Sequence, residues 1–534
     1  MANTHANTPA GAGSMNSRTF VPVRQRQSQP ARLLLSLTLL LAVAGLVPTA
    51  MPSAQAQNGE RYITYIPWVP NGEMIGGQGP WSGVVSIQNR TDDFCSFEVF
   101  AVENNSEWTS KTGLSMFDWE SRSLSAGGMN LPDGGSPVRI EATCDIAVSL
   151  KQYTPNVRRT PWSDGSQVVT GYTGLSEADF AAAKASGTPT WHLPIVQTNS
   201  DWNTLIRVTN FADTATDVTV EVFPTGNTIS AAGAVLTLPR QLGHTETWTI
   251  DLLAELGTTG FVGFAKITAD GDVGAVAQRI KPGALMAISN VAVAVDATAA
   301  EGSYRAAAPL LFTAYNGWNT GITMANPSSQ PAVVTLQYFP TNGPMLRQES
   351  IVIAAYSMQY IYTPGTVAQA GFVGSANILS NLPIVAAVDE VKYETSEALS
   401  YLASAAPQHV AGVPIVFKED PSIGQNDNSG VSIVNLDPIN EQNVFMRVRN
   451  RAGADLLDLP VAVRLPAGGS SFVYLPFIDD IPAGMNGSLI LETSNPAGFV
   501  AISNDVNYAA GGDGSVVFAA TGNGGLYHIP APVQ

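Results

Sequence analysis

A short sequence pattern recurs four times along this chain at intervals of roughly 110 residues, and a repeat of this period indicates an array of similar structural modules. Two copies read W-N-T-L-I-R-V-T-N and W-N-T-G-I-T-M-A-N, a looser copy reads W-S-G-V-V-S-I-Q-N, and the last reads N-S-G-V-S-I-V-N. The copies lie at residues 202–210, 318–326, 81–89 and 428–435, respectively. The fold therefore reduces to one module that is used four times.

The first 56 residues have the features of a cleaved secretory signal peptide. Residues 1–56 contain no acidic residue and four arginines, and an apolar run at residues 33–47 precedes a small-x-small sequence that ends at Ala56. This order of basic, apolar and small residues is typical of a secretory signal. A membrane anchor is the alternative, but about 15 apolar residues are short for a bilayer span. We expect cleavage near Ala56 and a secreted, extracellular or cell-surface protein, with the periplasm as the other location.

The charge of the chain restricts its partners. It has 26 basic and 43 acidic residues, and the part after the signal arginines has 22 against 43, a formal net charge of −21. This acidic balance argues against nucleic acid and against anionic lipid surfaces. Hydrophobic residues make up 45% of the chain and charged residues only 13%, which predicts a folded protein. No second apolar stretch is long enough to span a membrane, so we expect no transmembrane anchor in the mature chain.

Each module is predicted to be a series of short β-strands separated by turns. An apolar strand around a proline opens it, at a sheet edge or a module junction. The recurring strand follows, with alternating residues and a final asparagine suited to an Asx-turn. The next strand would direct Val218, Val220 and Val222 into the core of module 2. About seven strands in some 100 residues, with no helices between them, predict an all-β chain of four tandem antiparallel β-sandwich modules.

The module boundaries follow from the repeat. The predicted segments are a signal peptide at 1–56, a tryptophan-rich module 1 at 60–158, module 2 at 190–300, module 3 at 304–403 and module 4 at 409–534. The linker at 159–189 should contain one short helix over residues 175–187, which Ser176 would cap and Gly187 would end. The C-terminal segment repeats the apolar-Pro-apolar core of the opening strands, so we expect it to close module 4. Pairing of this segment with another subunit is the alternative.

The two cysteines of the chain, Cys95 and Cys144, both fall in module 1. An even pair in an exported chain predicts a disulfide, whereas two separate buried thiols are the alternative. Cys95 opens one predicted strand and Cys144 precedes another. Closing a loop of about 50 residues would contribute roughly 3–4 kcal/mol to stability.

The sequence contains few groups arranged for chemistry. No nucleophile elbow, zinc-protease motif or phosphate-binding loop is present, which argues against catalytic activity. His192 and His528 occupy matching positions beside opening-strand prolines, which favours packing over catalysis. Asp427, Asn426 and Asn428 lie in an acid-rich turn that could bind Ca²⁺, but they lack the spacing of an EF-hand, so a solvated loop is the preferred interpretation and no cofactor is expected.

Three tryptophans of module 1 and its tail are candidate ligand-binding residues. Trp108, Trp119 and Trp162 have no counterparts in the other modules and fall in polar loops. Aromatic side chains in such loops could stack on a sugar or a partner. By contrast, the tryptophans that begin three of the four pattern copies share one position and are predicted to pack in the core or a turn.

The strand pattern and the repeat resemble tandem immunoglobulin-like or fibronectin-type repeats of bacterial surface and adhesion proteins. The resemblance covers nearly all of residues 60–534 and implies a stalk, adhesin or matrix role, without transferring any functional residue. A disulfide between two strands is the arrangement seen in immunoglobulin-type domains. The primary hypothesis is a secreted or cell-surface structural and adhesive protein that is not an enzyme. Its partners would be cell-surface or extracellular-matrix components, glycans, or a second copy of itself. The alternative is an extracellular carbohydrate- or ligand-binding protein that uses the module 1 aromatics.

Overall fold

The computed structural model describes residues 61–103, 107–154, 168–185, 187–226, 233–367, 369–404, 406–419, 427–507 and 516–522. The described chain is all-β, with several antiparallel sheets, and residues 56–534 form one compact unit. The predicted signal peptide and the C-terminal closing segment lie outside the described residues. None of the described helices has the length and hydropathy needed to cross a membrane.

Module 1 is a single nine-stranded sheet where a two-sheet sandwich was predicted, and its last two strands lie in the segment predicted as the 159–189 linker. Its strands pair in the order β4-β3-β6-β1-β2-β7-β8, with β5 also paired to β2 and β9 to β1. They are β1 Tyr62–Ile75, β2 Gln78–Asn89, β3 Cys95–Val102, β4 Trp108–Met116, β5 Ser121–Ser125, β6 Gly134–Ala142, β7 Ile146–Tyr153, β8 Val169–Thr173 and β9 Leu175–Ser176. The sheet is continuous because β1 pairs with β6 along its first part and then turns into a hairpin with β2.

In modules 2 and 3 the corresponding strands are divided between two four-stranded sheets. Module 2 has the sheets β10-β15-β12-β13 and β14-β11-β16-β17, built from β10 Thr190–Gln197, β11 Asn203–Asn210, β12 Thr216–Pro224, β13 Leu236–Leu242, β14 Thr247–Asp251, β15 Val262–Ala269, β16 Val273–Lys281 and β17 Met286–Val291. Module 3 has the sheets β18-β23-β20-β21 and β22-β19-β24-β25, built from β18 Tyr304–Thr313, β19 Asn319–Asn326, β20 Ala332–Pro340, β21 Arg347–Ile353, β22 Ser357–Tyr362, β23 Phe372–Ser380, β24 Val385–Lys392 and β25 Glu397–Leu402.

Module 4 repeats this plan with one added strand. Its sheets are β29-β28-β31-β26-β34 and β30-β27-β32-β33. The strands are β26 Val410–Lys418, β27 Asn428–Asn435, β28 Gln442–Asn450, β29 Val461–Leu465, β30 Ser470–Tyr474, β31 Met485–Glu492, β32 Phe499–Val506, β33 Val516–Ala519 and β34 Thr521–Gly522. The helices are short: α1 Glu177–Ala183, α2 Leu252–Leu256 and α3 Thr363–Thr366. The first confirms the predicted helix and its N-cap at Ser176, but it ends at Ala183 with Lys184 as the C-cap, and not at Gly187.

The alternation predicted for the strands is present. Val218, Val220 and Val222 of β12 are buried, whereas the side chains between them are partly or fully exposed. In modules 3 and 4 the two sheets share one hydrophobic core each, and the cores of modules 1 and 2 are continuous. Alternate residues of a strand point to opposite faces, so the period-2 pattern selects the face of each sheet that is buried.

Two local devices recur in every module. Each opening strand has a β-bulge at its proline, between Ile66 and Val69 in module 1 and at the equivalent places in the other modules. The asparagine that ends each pattern copy is buried, and its Oδ1 accepts a hydrogen bond from the backbone N–H two residues later, as an Asx-turn requires. These bonds join Asn89 to Thr91, Asn210 to Ala212, Asn326 to Ser328 and Asn435 to Asp437, at 2.8–3.0 Å.

The four modules pack in a closed cycle. Strand β8 contacts β17 and β33, and β25 contacts the same two strands, so these last strands of the modules meet around a common centre. The opening strand of each module lies against the following module: β1 on β11 and β16, β10 on β19 and β24, β18 on β27 and β32, and β26 back on β2 and β7. Head-to-tail contacts close into a ring when the rotation between neighbours completes a turn. The chain is therefore a ring of modules rather than an extended array.

Candidate functional sites at the module junctions

The disulfide is formed as predicted, but it does not connect two sheets. Cys95 begins β3, Cys144 lies in the connection between β6 and β7, and their sulfurs are bonded. Strand β3 pairs with β6 so that Phe97 faces Ala142, which brings the residues just beyond that pair together. All three strands belong to one sheet. The bridge therefore joins the start of β3 to the β6–β7 connection within one sheet, and the bridge across a sandwich that the resemblance implies is corrected.

The candidate tryptophans of module 1 make internal contacts. The ring of Trp108 is parallel to that of Phe211 in module 2, with centroids 6.1 Å apart, and the Arg139 guanidinium lies 5.0 Å from its centroid. Trp119 is partly buried, and the guanidinium of Arg449 in module 4 lies 5.6 Å from its ring centroid. Trp162 lies outside the described residues. Trp108 and Trp119 thus line the junctions of module 1 with its two neighbours.

The recurring tryptophans also lie at junctions. Trp81 is fully buried in a cluster with Leu205, Ile280 and Ala287 of module 2. Trp202 packs in the same way with residues of module 3, including Val391 and Ala398. The prediction of a packing role is confirmed for these two, and the structure adds that the residues they pack against belong to the next module.

At the equivalent position of the fourth copy, the chain has Asp427 where the others have tryptophan. Its carboxylate accepts hydrogen bonds from Lys151 Nζ at 3.0 Å and from Asn507 Nδ2 at 2.8 Å, and the residue is 1% exposed. Asn428 uses its Oδ1 to accept the Glu419 N–H at 3.0 Å, and Asn426 lies outside the described residues. Within the described ranges no three metal-ligating side chains come together. Asp427 is thus buried in an ion pair with a lysine of module 1, and the interpretation as a solvated loop is corrected for this residue.

A pair of polar residues occupies the same two positions in the strand that pairs with each pattern copy. The register is constant, because the second member of each pair faces the third residue of the pattern in every module. The pairs are Lys151-Gln152 on β7, Gln278-Arg279 on β16, Asp389-Glu390 on β24 and Asn504-Asp505 on β32. We call these eight residues the junction pairs.

The junction pairs interlock around the cycle. At every junction the first member of one pair contacts the second member of the pair in the preceding module, and module 4 precedes module 1. The contacts are Gln278 to Gln152 at 3.3 Å, Asp389 to Arg279 through two bonds of 2.6 Å, Asn504 to Glu390 at 3.3 Å, and Lys151 to Asp505 at 2.6 Å. The same two positions thus meet at all four junctions, but the pair of side-chain types that makes the contact differs at each one. Sequence reasoning missed these residues, although polar pairs in otherwise apolar final strands were a visible signal.

Burial and charge set the protonation of these groups. Burial acts to lower the pKa of Lys151, but Asp427 and Asp505 together raise it above its ordinary value, so the lysine is charged. Glu390 has no cation beside it, and burial raises its pKa well above the usual carboxyl value with only partial relief from Asn504. The hydrogen bond between these two residues runs from Asn504 Nδ2 to Glu390 Oε2, at 3.3 Å.

The histidine of the module 2 opening strand is buried as well. His192 has no exposed surface, and burial together with the Lys266 ammonium lowers its pKa to about 3. Neither ring nitrogen has a hydrogen-bond partner in the described structure, so the ring serves as a neutral packing group. His528 lies outside the described residues.

The chain as a whole matches no protein-family model and has no significant sequence similarity to a curated protein.

Proposed function

We propose that this protein is a secreted or cell-surface structural and adhesive protein without catalytic activity, built from four β modules, three of which are immunoglobulin-like β-sandwiches. The observation that carries the proposal is the closed cycle of junction pairs. Strongly perturbed pKa values commonly indicate active sites. In this chain, the charged groups Lys151, Arg279 and Asp389 each have a partner in a neighbouring module that holds the cycle together. Their arrangement is that of a scaffold.

The compact cycle favours an adhesive head or a structural building block over a stalk. In a stalk, each module contacts the modules next to it in sequence and the ends are far apart. In this chain, β26 of module 4 packs on β2 and β7 of module 1, and Gln88 Nε2 donates a hydrogen bond to the Leu489 carbonyl across this junction at 3.2 Å. A ring of this type presents loops from four modules around one rigid body, which suits contact with an extended surface.

The test combines localisation, adhesion and activity. We expect the full chain, expressed in its source cells, to be recovered at the cell surface or in the medium with its N-terminus near residue 57. We also expect the purified protein to adhere to cell-wall or matrix material and to leave a broad panel of hydrolase substrates unchanged. Robust turnover of a substrate that is abolished by substitution of one carboxylate would contradict the proposal, as would retention of the chain in the cytoplasm.

The second hypothesis, ligand binding by module 1 aromatics, has less support from the structure. Trp108 and Trp119 contact Phe211 and Arg449 of other modules, so their rings are not free platforms. We expect Trp108→Ala and Trp119→Ala to lower the stability of the ring of modules. A loss of glycan binding at unchanged stability would restore the module 1 site.

A further inference from the structure

Three tyrosines form an exposed patch on one sheet face of module 3. Tyr360 and Tyr362 belong to β22, and Tyr393 follows β24 directly. Their exposed fractions are 47%, 45% and 62%, whereas most large aromatic side chains of the described chain are buried or partly buried. We call these three residues the tyrosine patch.

The sheet register places the patch on one face. Gly321 of β19 faces Tyr362 on one side and Asp389 on the other, and alternate residues of neighbouring strands share a face. Tyr360 is two residues before Tyr362, so these two rings point the same way. Tyr393 lies in the turn after β24, where the Tyr362 phenol is close enough to raise its pKa. A Cβ at Gly321 would lie 2.6 Å from Cζ of Tyr360, so the glycine allows that ring to lie directly on the strand.

Module 2 supplies the border of the patch. The Lys281 ammonium lies 5.5 Å from the ring centroid of Tyr393, and the Trp202 indole hydrogen-bonds to the Tyr393 hydroxyl. Lys281 forms no salt bridge within the described ranges. The nearby Asp389 is neutralised by its two bonds to Arg279. Lys281 therefore places one cation without a salt bridge at the border of the patch.

The hydroxyl groups of the patch are hydrogen-bond donors at physiological pH. Burial and the Asp389 carboxylate raise the pKa of Tyr360, and the same two causes raise the pKa of Tyr393. Both phenols therefore stay protonated. The rings offer negative faces to C–H groups, and the hydroxyls and the ammonium provide polar contacts at their rims.

We propose that the tyrosine patch and Lys281 bind a polysaccharide that contains uronic acid. The ring faces would accept the C–H faces of the pyranose units, the hydroxyls would bond to sugar hydroxyls, and Lys281 would pair with the carboxylate. This inference rests on the adhesive part of the proposed function and names its ligand class. The net charge of −21 disfavours polyanions over most of the surface, so the contact with the uronate would be local, at Lys281. A neutral glycan would leave the charge of Lys281 unused, and a protein partner is the competing outcome of the test.

Module 4 provides a matched control surface. Tyr474 of β30 occupies the position of Tyr362, since it faces Gly430 as Tyr362 faces Gly321. Phe477, 84% exposed, lies 5.1 Å from Tyr474 between ring centroids. Burial and the Glu419 carboxylate raise the pKa of Tyr474, and the nearby Lys418 ammonium is bonded to the Ile478 and Ile481 carbonyls. Glu419 would repel a uronate, so a Tyr474→Ala variant tests a partly exposed aromatic side chain beside a carboxylate.

The experiment is affinity electrophoresis of the full chain in gels that contain polygalacturonate, alginate or hyaluronan, with dextran as the neutral control. We expect at least one uronan to retard the protein, and dextran to leave it unretarded. Tyr393→Ala and Lys281→Met should each weaken retardation by about tenfold in apparent Kd, and Tyr474→Ala should leave it unchanged. Added salt should weaken the binding because it screens the lysine. Thermal unfolding of each variant provides the folding check.

Three results would overturn the inference: no retardation of the wild type by any of the uronans, equal retardation of all variants, or stronger retardation by dextran. Capture of a protein from the cell surface that depends on Tyr393 but not on Lys281 would assign the patch to a protein partner and also overturn it. None of these outcomes affects the adhesion and activity assays, so failure of the ligand class is separable from failure of the proposed function.

Discussion

Replacing Lys151 by methionine should strongly destabilise the junction between modules 4 and 1. The lysine side chain is 7% exposed, and the Asp427 and Asp505 carboxylates that it contacts are 1% and 3% exposed. Methionine retains the aliphatic stem but leaves two buried carboxylates facing each other without a cation. Removing one partner of a buried ion pair costs about 3–5 kcal/mol, and we expect a loss in this range.

The matched control is Lys266→Met. Lys266 pairs with Glu221 at 3.0 Å, but both side chains are about one-quarter exposed, at 27% and 26%. An ion pair of this type contributes roughly 0.2–1 kcal/mol. The two variants thus remove the same chemical group and differ in burial.

The assay is urea unfolding at pH 7, followed by tryptophan fluorescence, since Trp81 and Trp202 lie at junctions. The midpoint shift multiplied by the slope gives the change in the free energy of unfolding. A Lys151→Met/Asp427→Asn/Asp505→Leu variant should recover much of the loss, because it removes the uncompensated charges. If Lys151→Met and Lys266→Met differ by less than about 1 kcal/mol, the buried ion pair does not hold the cycle closed and our reasoning is wrong.

Three further predictions concern other parts of the ring. A Cβ at Gly171 would lie 2.8 Å and 2.9 Å from side-chain atoms of β33. Gly171→Ala should therefore lower the thermal unfolding temperature by several degrees. Gly113→Ala is the control, because a Cβ at Gly113 would meet open space, and it should leave this temperature unchanged. Because the pKa of His192 is lowered to about 3 in the folded protein, the unfolded chain takes up the proton first as the pH falls. Relative to His192→Leu, the free energy of unfolding should decrease below about pH 6.5 by up to roughly 1.4 kcal/mol per pH unit. An equal difference between the two proteins in urea unfolding at pH 7 and at pH 5 would contradict this. Replacing both Cys95 and Cys144 by serine should cost about 3–4 kcal/mol by chemical denaturation, and an unchanged midpoint would show that the loop is already ordered in the unfolded chain.

The parts of the fold that could be predicted depend on neighbours in sequence. The Asx-turn at Asn210 needs an amide and a backbone N–H two residues later, and the helix at Glu177 needs a cap at Ser176. The alternation of Val218 with polar residues follows from the pleat of a strand. Such features are visible in any window of about ten residues, which is why the all-β class and most strands were predicted.

The candidate sites were predicted less well because their partners lie far away in the chain. The sequence predicts Trp108 as an exposed loop aromatic, but its ring lies against that of Phe211. It predicts Asp427 as a residue of a solvated loop, but its carboxylate pairs with Lys151. These pairs are separated by 103 and 276 residues. The spacing of residues along the sequence contains no information on such contacts unless the arrangement of modules is known.

The sequence by itself determined that the chain is all-β, that Val218, Val220 and Val222 are buried, and that Cys95 pairs with Cys144. Only the tertiary structure decided that the modules close into a cycle. An open array and a closed cycle can be built from the same strands. The array closes only if the rotations at the successive junctions add up to a full turn. These rotations are set by side chains that meet across junctions, and the last of these joins Lys151 to Asp505, which lie at opposite ends of the repeat.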